Sequence, residues 1–302
     1  MKYLFEAVTK CEMCGSDVSQ HQVVGQRLNC SQGLKPKTKH GISVSVMRCK
    51  NCGLHFSNPM PIPENISDHY GIPPESYWQP TYFNPPPPTA FNVQIATAKK
   101  LLQNKKTLTA LDIGAGLGKT MITLTNAGFD VYGFEPSRPF YERAISMMKI
   151  SRDRIKCGMI EEMDYEKESF DFITFEAVAE HLYHPAQSIK KALQWLKPGG
   201  IIHVEVPSSN HFISKLINIY YRFAGTNYVT NLSPMHVPFH LYEFTPQSFT
   251  ELGKLAGYKV AHHIIEVCNI DFFPRIIHPL LRKYMQLTNT GMQLTIYLQK
   301  NN

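Results

Sequence analysis

The 302-residue chain has no apolar run long enough to span a bilayer, so a transmembrane protein is not expected. Lys2, Glu6 and Lys10 fall within the first ten residues, where a secretory leader would need an apolar stretch. No internal repeat is evident, which argues against a solenoid or an array. Cysteine is sparse, with seven in the chain. Without a secretory segment these are not expected to form a disulfide framework, and a cytoplasmic location is expected. Acid is in deficit, with 24 Asp and Glu against 31 Lys and Arg, a net charge of +7. The apolar share, 43%, is ordinary for a globular protein, and the length suggests two domains or one core with an appendage.

Four of the seven cysteines are paired. Cys11-Glu12-Met13-Cys14 and Cys49-Lys50-Asn51-Cys52 are CxxC pairs, followed by Gly15 and Gly53. Such spacing suits two tight knuckles whose four thiolates, Cys11, Cys14, Cys49 and Cys52, surround a structural Zn2+ in a tetrahedron. A redox CxxC and a disulfide pair are the competing readings. The long spacer must hold strands or a loop. Cys30, Cys157 and Cys268 read as ordinary small residues.

The basic excess is concentrated here. Residues 10–50 hold seven Lys and Arg against two acids. A basic ribbon can touch RNA phosphates, steer an anionic metabolite, or simply present a solvated face. The Lys35-Pro36-Lys37-Thr38-Lys39 cluster lacks interleaved aromatics and reads as an exposed loop. Residues 80–88 contain four consecutive prolines and read as a stiff linker. The expected organisation is a zinc ribbon over 1–60, a proline-rich linker over 61–88 and a larger domain over 89–302. The proline- and tyrosine-rich residues 60–83 are expected against the core.

Residues 111–118 read Leu-Asp-Ile-Gly-Ala-Gly-Leu-Gly. An apolar run before them predicts a strand, and 119–127 predict a helix. Strand, glycine turn and helix N-terminus make a nucleotide cradle. Residues 131–135 read as the next strand, ending in Glu135, about 20 residues beyond the glycines, where a ribose acceptor belongs. A tight turn in another α/β domain is the alternative for the loop alone, and Ser137 allows Glu135 a helix-capping neighbourhood instead. Ile189, Ala192, Leu193 and Leu196 fall at helical spacing after Pro185. Thr245-Pro246 opens another helix with Phe249, Leu252 and Leu255 on one face, closed by Gly257. Residues 258–267 and 292–298 read as strands. Alternating strands and helices over 108–206 predict a parallel sheet covered on both faces.

The loop, with Asp112 before Gly114, Gly116 and Gly118, resembles motif I of the class I S-adenosylmethionine (SAM)-dependent methyltransferases. Three further segments resemble that family in order: Ser169–Thr174, Ala179-Glu180-His181-Leu182-Tyr183-His184-Pro185, and Leu196-Lys197-Pro198-Gly199-Gly200. Together with the ribbon, they resemble bacterial methyltransferases of sugars and other small metabolites, without the longer C-terminal domain some carry. The resemblance implies an α/β, Rossmann-like, seven-stranded methyltransferase sheet with a small N-terminal zinc ribbon. It implies SAM bound by Asp112, Gly114, Ala115, Gly116, Gly118, Glu135, Pro136, Ile160, Glu161 and Glu176, and an antiparallel edge from the last two strands.

For the chemistry, an oxygen or carbon acid needs a base. Glu180 and His181 follow the fourth strand, where open sheets bind ligands; organising the loop is their competing role. Pro238–Pro246 resembles the segment closing an acceptor lid, here about 207–245, with His240 and Tyr242 as further candidates and His236 behind His240. In some related quinone-pathway enzymes a Glu–Glu–His set binds a cation, but the first position here is Ala177, so no catalytic metal is expected. The expected reaction is methyl transfer to a small molecule, a sugar or nucleotide sugar, to oxygen before carbon. An RNA base methyltransferase and a non-catalytic SAM-binding scaffold are the alternatives.

Overall fold

The computed structural model describes residues 2–30, 41–65, 73–76, 78–103, 105–270 and 273–301. The Lys35–Lys39 cluster lies outside them. The N-terminal region has five strands: β1 (Tyr3–Glu6), β2 (Gln22–Leu28), β3 (Ser43–Arg48), β4 (His55–Asn58) and β5 (Met60–Pro63). Two of them, β2 and β3, fill the spacer between the CxxC pairs. Each pair closes as a knuckle: the Gly15 N–H donates to the Cys11 carbonyl, and the Gly53 N–H to that of Cys49, at 2.8 and 2.9 Å.

A helix α1 (Asn92–Leu101) leads into the core. The core runs through β6 (Leu108–Ile113), α2 (Lys119–Asn126), β7 (Phe129–Glu135), α3 (Arg138–Ser146), β8 (Ile155–Cys157), β9 (Phe170–Glu176), α4 (Pro185–Trp195) and β10 (Leu196–Pro207). Then come α5 (Phe212–Phe223), β11 (Tyr242–Glu243), α6 (Pro246–Ala256), β12 (Tyr258–Glu266), α7 (His278–Thr288) and β13 (Gln293–Lys300). The seven-stranded sheet has the order β12-β13-β10-β9-β6-β7-β8. Strands β6 to β10 pair in parallel, and β13 runs antiparallel to both β10 and β12. Reversal is confined to β13, which inserts between β10 and β12, so the last two strands form the expected antiparallel edge of the sheet. Six of the seven residues of β9 are buried, as a central parallel strand covered on both faces requires.

Helix α4 buries Ile189, Ala192 and Leu193 as its periodicity predicts. Helix α6 buries Phe249 and Leu252, but Leu255 is 62% exposed. The buried stripe continues through Gly253, and Leu255 lies off it.

The ribbon is not held apart from the core. Its sheet has the order β11-β4-β3-β2, so its fourth strand comes from the end of the lid, with Tyr242 opposite Phe56. Met13, Leu54 and Phe56 pack in one continuous core with Tyr242, Phe244 and Phe249. Within residues 60–83, expected against the core, the 3-10 turn Pro80–Phe83 lies at the glycine loop. Tyr82 packs edge-on to Phe140, and the Lys119 ammonium sits 4.6 Å from the centre of its ring.

The second knuckle grips both ends of the segment 209–245, the expected lid. The Thr245 hydroxyl donates to the Cys52 carbonyl at 2.5 Å, and the Ser209 hydroxyl to the Gly53 carbonyl at 3.0 Å. Gly53 has φ +77°, and a Cβ there would sit 2.8 Å from the Thr245 methyl, so the close approach requires glycine. Thr245 also forms a reciprocal capping box with Ser248 at the start of α6. Thr245→Ala removes the cap and the knuckle bond together. It is expected to cost about 1–2 kcal/mol, read as a lower urea midpoint; an unchanged midpoint would show that the grip is energetically idle.

Candidate functional site

The C-terminal ends of β6, β7 and β9 converge on the glycine loop. Gly114, Gly116 and Gly118 all have left-handed φ. At Gly114 a Cβ would come within 2.6 Å of the Val178 side chain, so the loop can turn there only without one. Glu135 is 6% exposed. Its carboxylate accepts the N–H groups of Gly116 at 2.8 Å and Ser137 at 2.7 Å. Burial outweighs these bonds and pushes its pKa up to about 7. Both proposed neighbourhoods of Glu135, the loop and the start of α3, thus meet at one carboxylate, which keeps lone pairs for further donors.

Asp112, 2% exposed, ends β6 beneath the loop. Its Oδ2 has no hydrogen-bond partner among the described residues. Burial, then the charges of Glu176 and Glu135, hold its pKa well above the usual carboxylate range. Glu176 closes β9 and accepts from the Thr120 hydroxyl; burial raises its pKa too. Two buried carboxylates, a third that is half-buried and one orphaned oxygen form a site short of a cation. Pro136 follows Glu135 at its rim, Ala115 donates its N–H to the Phe134 carbonyl, and Ile160 is buried nearby in the core while Glu161 is exposed. Tyr82 was not singled out from the sequence, yet its hydroxyl lies 3.8 Å from where a Gly116 Cβ would sit.

Beyond the loop, Ala179–His181 forms a single 3-10 turn. Glu180 is 2% exposed, and its Oε1 lies 3.9 Å from His181 Nε2 and 4.0 Å from His240 Nε2. The two imidazole rings are 5.0 Å apart. All three donor atoms fall within 4.8 Å of one another, close enough to share a proton or a cation. Glu180 Oε2 has no partner among the described residues. Burial, then the charge of Glu205, pushes the Glu180 pKa up to about 8. Glu205, which pairs in register with Glu176, is raised by burial to about 7. His181 Nδ1 lies 3.3 Å from the Phe239 carbonyl. A carbonyl only accepts, so Nδ1 carries the hydrogen and Nε2 is the basic nitrogen of neutral His181. His240 is held by its backbone, exchanging bonds with Ser233, and burial lowers its pKa to about 3.

The structure therefore joins Glu180, His181 and His240. Tyr242 stands apart: it is buried in the ladder with β4, and its hydroxyl donates to the Tyr183 carbonyl at 3.0 Å. His236 faces Arg27 at 3.0 Å. Arg27 also donates to the Val229 carbonyl, so one of the ribbon's basic residues turns inward to the lid. Sequence reasoning missed Glu243. It binds His55 of the ribbon at 3.3 Å, Asn231 at 2.6 Å and the Leu232 N–H at 3.0 Å. Burial would raise its pKa, but these partners bring it below the ordinary value.

At the ribbon, Cys11 and Cys52 sulfurs are 3.5 Å apart, and Cys14 and Cys49 sulfurs 3.6 Å. A metal about 2.3 Å from each of four sulfurs sets them roughly 3.7 Å apart, so the cluster is sized for one ion. Ser16, itself bonded to His21, contacts the Cys14 and Cys49 sulfurs. A polar cleft lined by Leu101, Lys105, Pro198 and Lys300 lies at the other end of the parallel strands.

A family model described as methyltransferase domain matches residues 92–263. The chain belongs to the class I SAM-dependent methyltransferases. A ubiquinone biosynthesis O-methyltransferase of Hydrogenovibrio crunogenus is 25% identical over 67% of this chain and 79% of its own. A demethylmenaquinone methyltransferase of Chlorobaculum tepidum is 25% identical over 55% of this chain and 72% of its own. A SAM-dependent methyltransferase structure from Mesorhizobium loti overlays at TM-score 0.49, with 15% identity over 68% of this chain and 96% of that one. In this methyltransferase, SAM is the methyl donor.

The buried titratable groups set a pH dependence. Glu135, Glu205 and Glu180 hold protons in the fold that the unfolded chain releases near 4.5. Their contribution is complete below that pH and lost as pH rises through 7 to 8. His203, His240 and His236, lowered by burial to about 3, 3 and 4, act oppositely: their penalty fades as pH rises to about 6.5. Above 6.5 these histidines no longer oppose the carboxylates. Ligand-free protein is therefore expected to lose thermal stability between about pH 6.5 and 8, less so in Glu180→Gln. A stability curve flat across that range would contradict the buried state of these acids.

Proposed function

We propose that this methyltransferase transfers the SAM methyl to a hydroxyl oxygen of a small molecule, with His181 as the base. The observation that carries the reading is the His181 tautomer: the Phe239 carbonyl fixes the hydrogen on Nδ1 and leaves Nε2 beside Glu180.

Asp112, Gly114, Ala115, Gly116 and Gly118 would hold the methionine part of SAM, with Glu176 and the orphaned Asp112 Oδ2 toward its ammonium. Glu135 and Pro136 would meet the ribose, and Ile160 and Glu161 the adenine. When bound, SAM supplies a methyl carbon whose bond to sulfur breaks with the electron pair left on sulfur. His181 Nε2 takes the acceptor hydroxyl proton as the oxygen closes on that carbon, and the Phe239 carbonyl steadies the resulting imidazolium. Glu180, 3.9 and 4.0 Å from the two Nε2 atoms, orients both rings. His240, kept neutral by burial, positions the acceptor. Tyr242 serves through the lid ladder.

A sugar or nucleotide sugar is the first acceptor to screen; a phenolic quinone precursor is the second, suggested by the names of the relatives. Transfer to carbon would use the same base. The four cysteines would hold a structural Zn2+, which suits a reducing cytoplasm.

The test uses S-adenosylhomocysteine calorimetry beside turnover with labelled SAM. Glu135→Ala is expected to weaken S-adenosylhomocysteine binding at least about tenfold by removing a carboxylate that binds two ribose donors. His181→Ala should keep that affinity while losing about 100-fold or more in kcat. Unchanged turnover in His181→Ala would remove it as the base. Label passing to RNA and to no small acceptor would overturn the acceptor class.

A further inference from the structure

We propose that α5 and α7 together form a peripheral docking face for an anionic lipid surface. Both helices sit outside the parallel sheet and share their own small core, with Ile213, Ile217 and Tyr221 packed on Met285. Phe212 and Tyr284 meet with ring centres 4.6 Å apart, which joins the outer faces of the two helices. Of the sixteen large apolar side chains exposed among the described residues, seven belong to this lobe. Such concentration is unusual for a soluble surface.

The exposed residues follow helical spacing. On α7 and the turn before it, Ile276, Leu280, Tyr284 and Leu287 form one stripe, exposed by 89, 71, 46 and 75%. On α5, Ile219, Tyr220 and Phe223 continue the outward face below Phe212, and Phe223 is 88% exposed. The inner face of each helix is occupied by the shared core, so these stripes are surplus to folding.

Charge selects the partner. Residues 207–242 contain no Asp or Glu, and neither do residues 273–302. Exposed Lys215, Arg222, Arg275 and Lys283 flank the apolar stripes. The one acid on the approach to α7, Asp271, lies outside the described residues. Apolar stripes edged by cations and free of acid match an acyl and headgroup boundary carrying anionic lipid. A second copy of this chain would bring the same positive rim against itself, so like charges would oppose each other.

No helix among the described residues is long and apolar enough to cross a membrane. The face would lie in the interface plane, not span it. Since α5 opens the segment that ends in His240, docking there would turn the lid side of the molecule to the lipid.

Vesicle co-sedimentation tests this with the full-length protein. Phosphatidylglycerol vesicles in low salt should bind it at least tenfold more than phosphatidylcholine vesicles, and 0.5 M salt should weaken the difference. Leu280→Glu with Leu287→Glu should lose at least tenfold in binding, while S-adenosylhomocysteine binding is retained. Arg275→Glu with Lys283→Glu, which leaves the apolar stripe intact, should lose the preference for phosphatidylglycerol. No binding of the unaltered protein to anionic vesicles, or equal binding by both variants, would overturn the proposal. So would a concentration-dependent dimer dissolved by Leu280→Glu, which would make the face a contact between copies.

Discussion

The grip of the Cys52-Gly53 knuckle on Ser209 and Thr245 is the constraint on which the cluster of Glu180, His181 and His240 depends. The lid leaves the sheet after β10 and returns at α6, and both points hang from two consecutive carbonyls of one cysteine turn. Between them, β11 completes the ribbon's sheet, and the His55–Glu243 pair fixes Asn231 and Leu232. Ser233 then holds His240, and Leu241 donates to the Glu180 carbonyl. Each bond is modest alone. In series they carry order from the cysteine cluster to the imidazoles. A metal in that cluster would stiffen the chain at its source.

The two halves of the site are built differently. The glycine-loop half comes from the core's own strand ends, where Asp112, Glu135 and Glu176 converge. Its excess of acid in low-dielectric surroundings is costly. The histidine half is assembled from a turn after β9 and a segment held by another part of the chain. Ala177 and Phe239, both with left-handed φ, flank the histidines, so the strain lies where side chains must be aimed.

Local features were readable in the sequence because local rules generate them. The knuckles follow from CxxC and glycine, the cradle from strand, glycines and helix start, and α4 from its apolar period. Glu180 and His181 were placed correctly after β9. The long-range pairings were not readable. Nothing in Tyr242 or Glu243 signals a ladder with Phe56 and His55, and Thr245 and Cys52 are 193 residues apart. Residues 60–83 were expected against the core, but the particular partners of Tyr82 there, Lys119 and Phe140, are tertiary and carry no local signal. Leu255 failed because three-residue spacing was extended one step past the buried stripe.

The most direct measurement is amide hydrogen exchange across residues 232–245 in Zn2+-supplemented protein and in the same protein treated with a chelator, with S-adenosylhomocysteine affinity measured on both samples. The account predicts faster exchange through Leu232, His240 and Tyr242 after chelation, with the affinity at the glycine loop retained. Exchange in this segment that is the same in the Zn2+-supplemented and chelator-treated samples would contradict it.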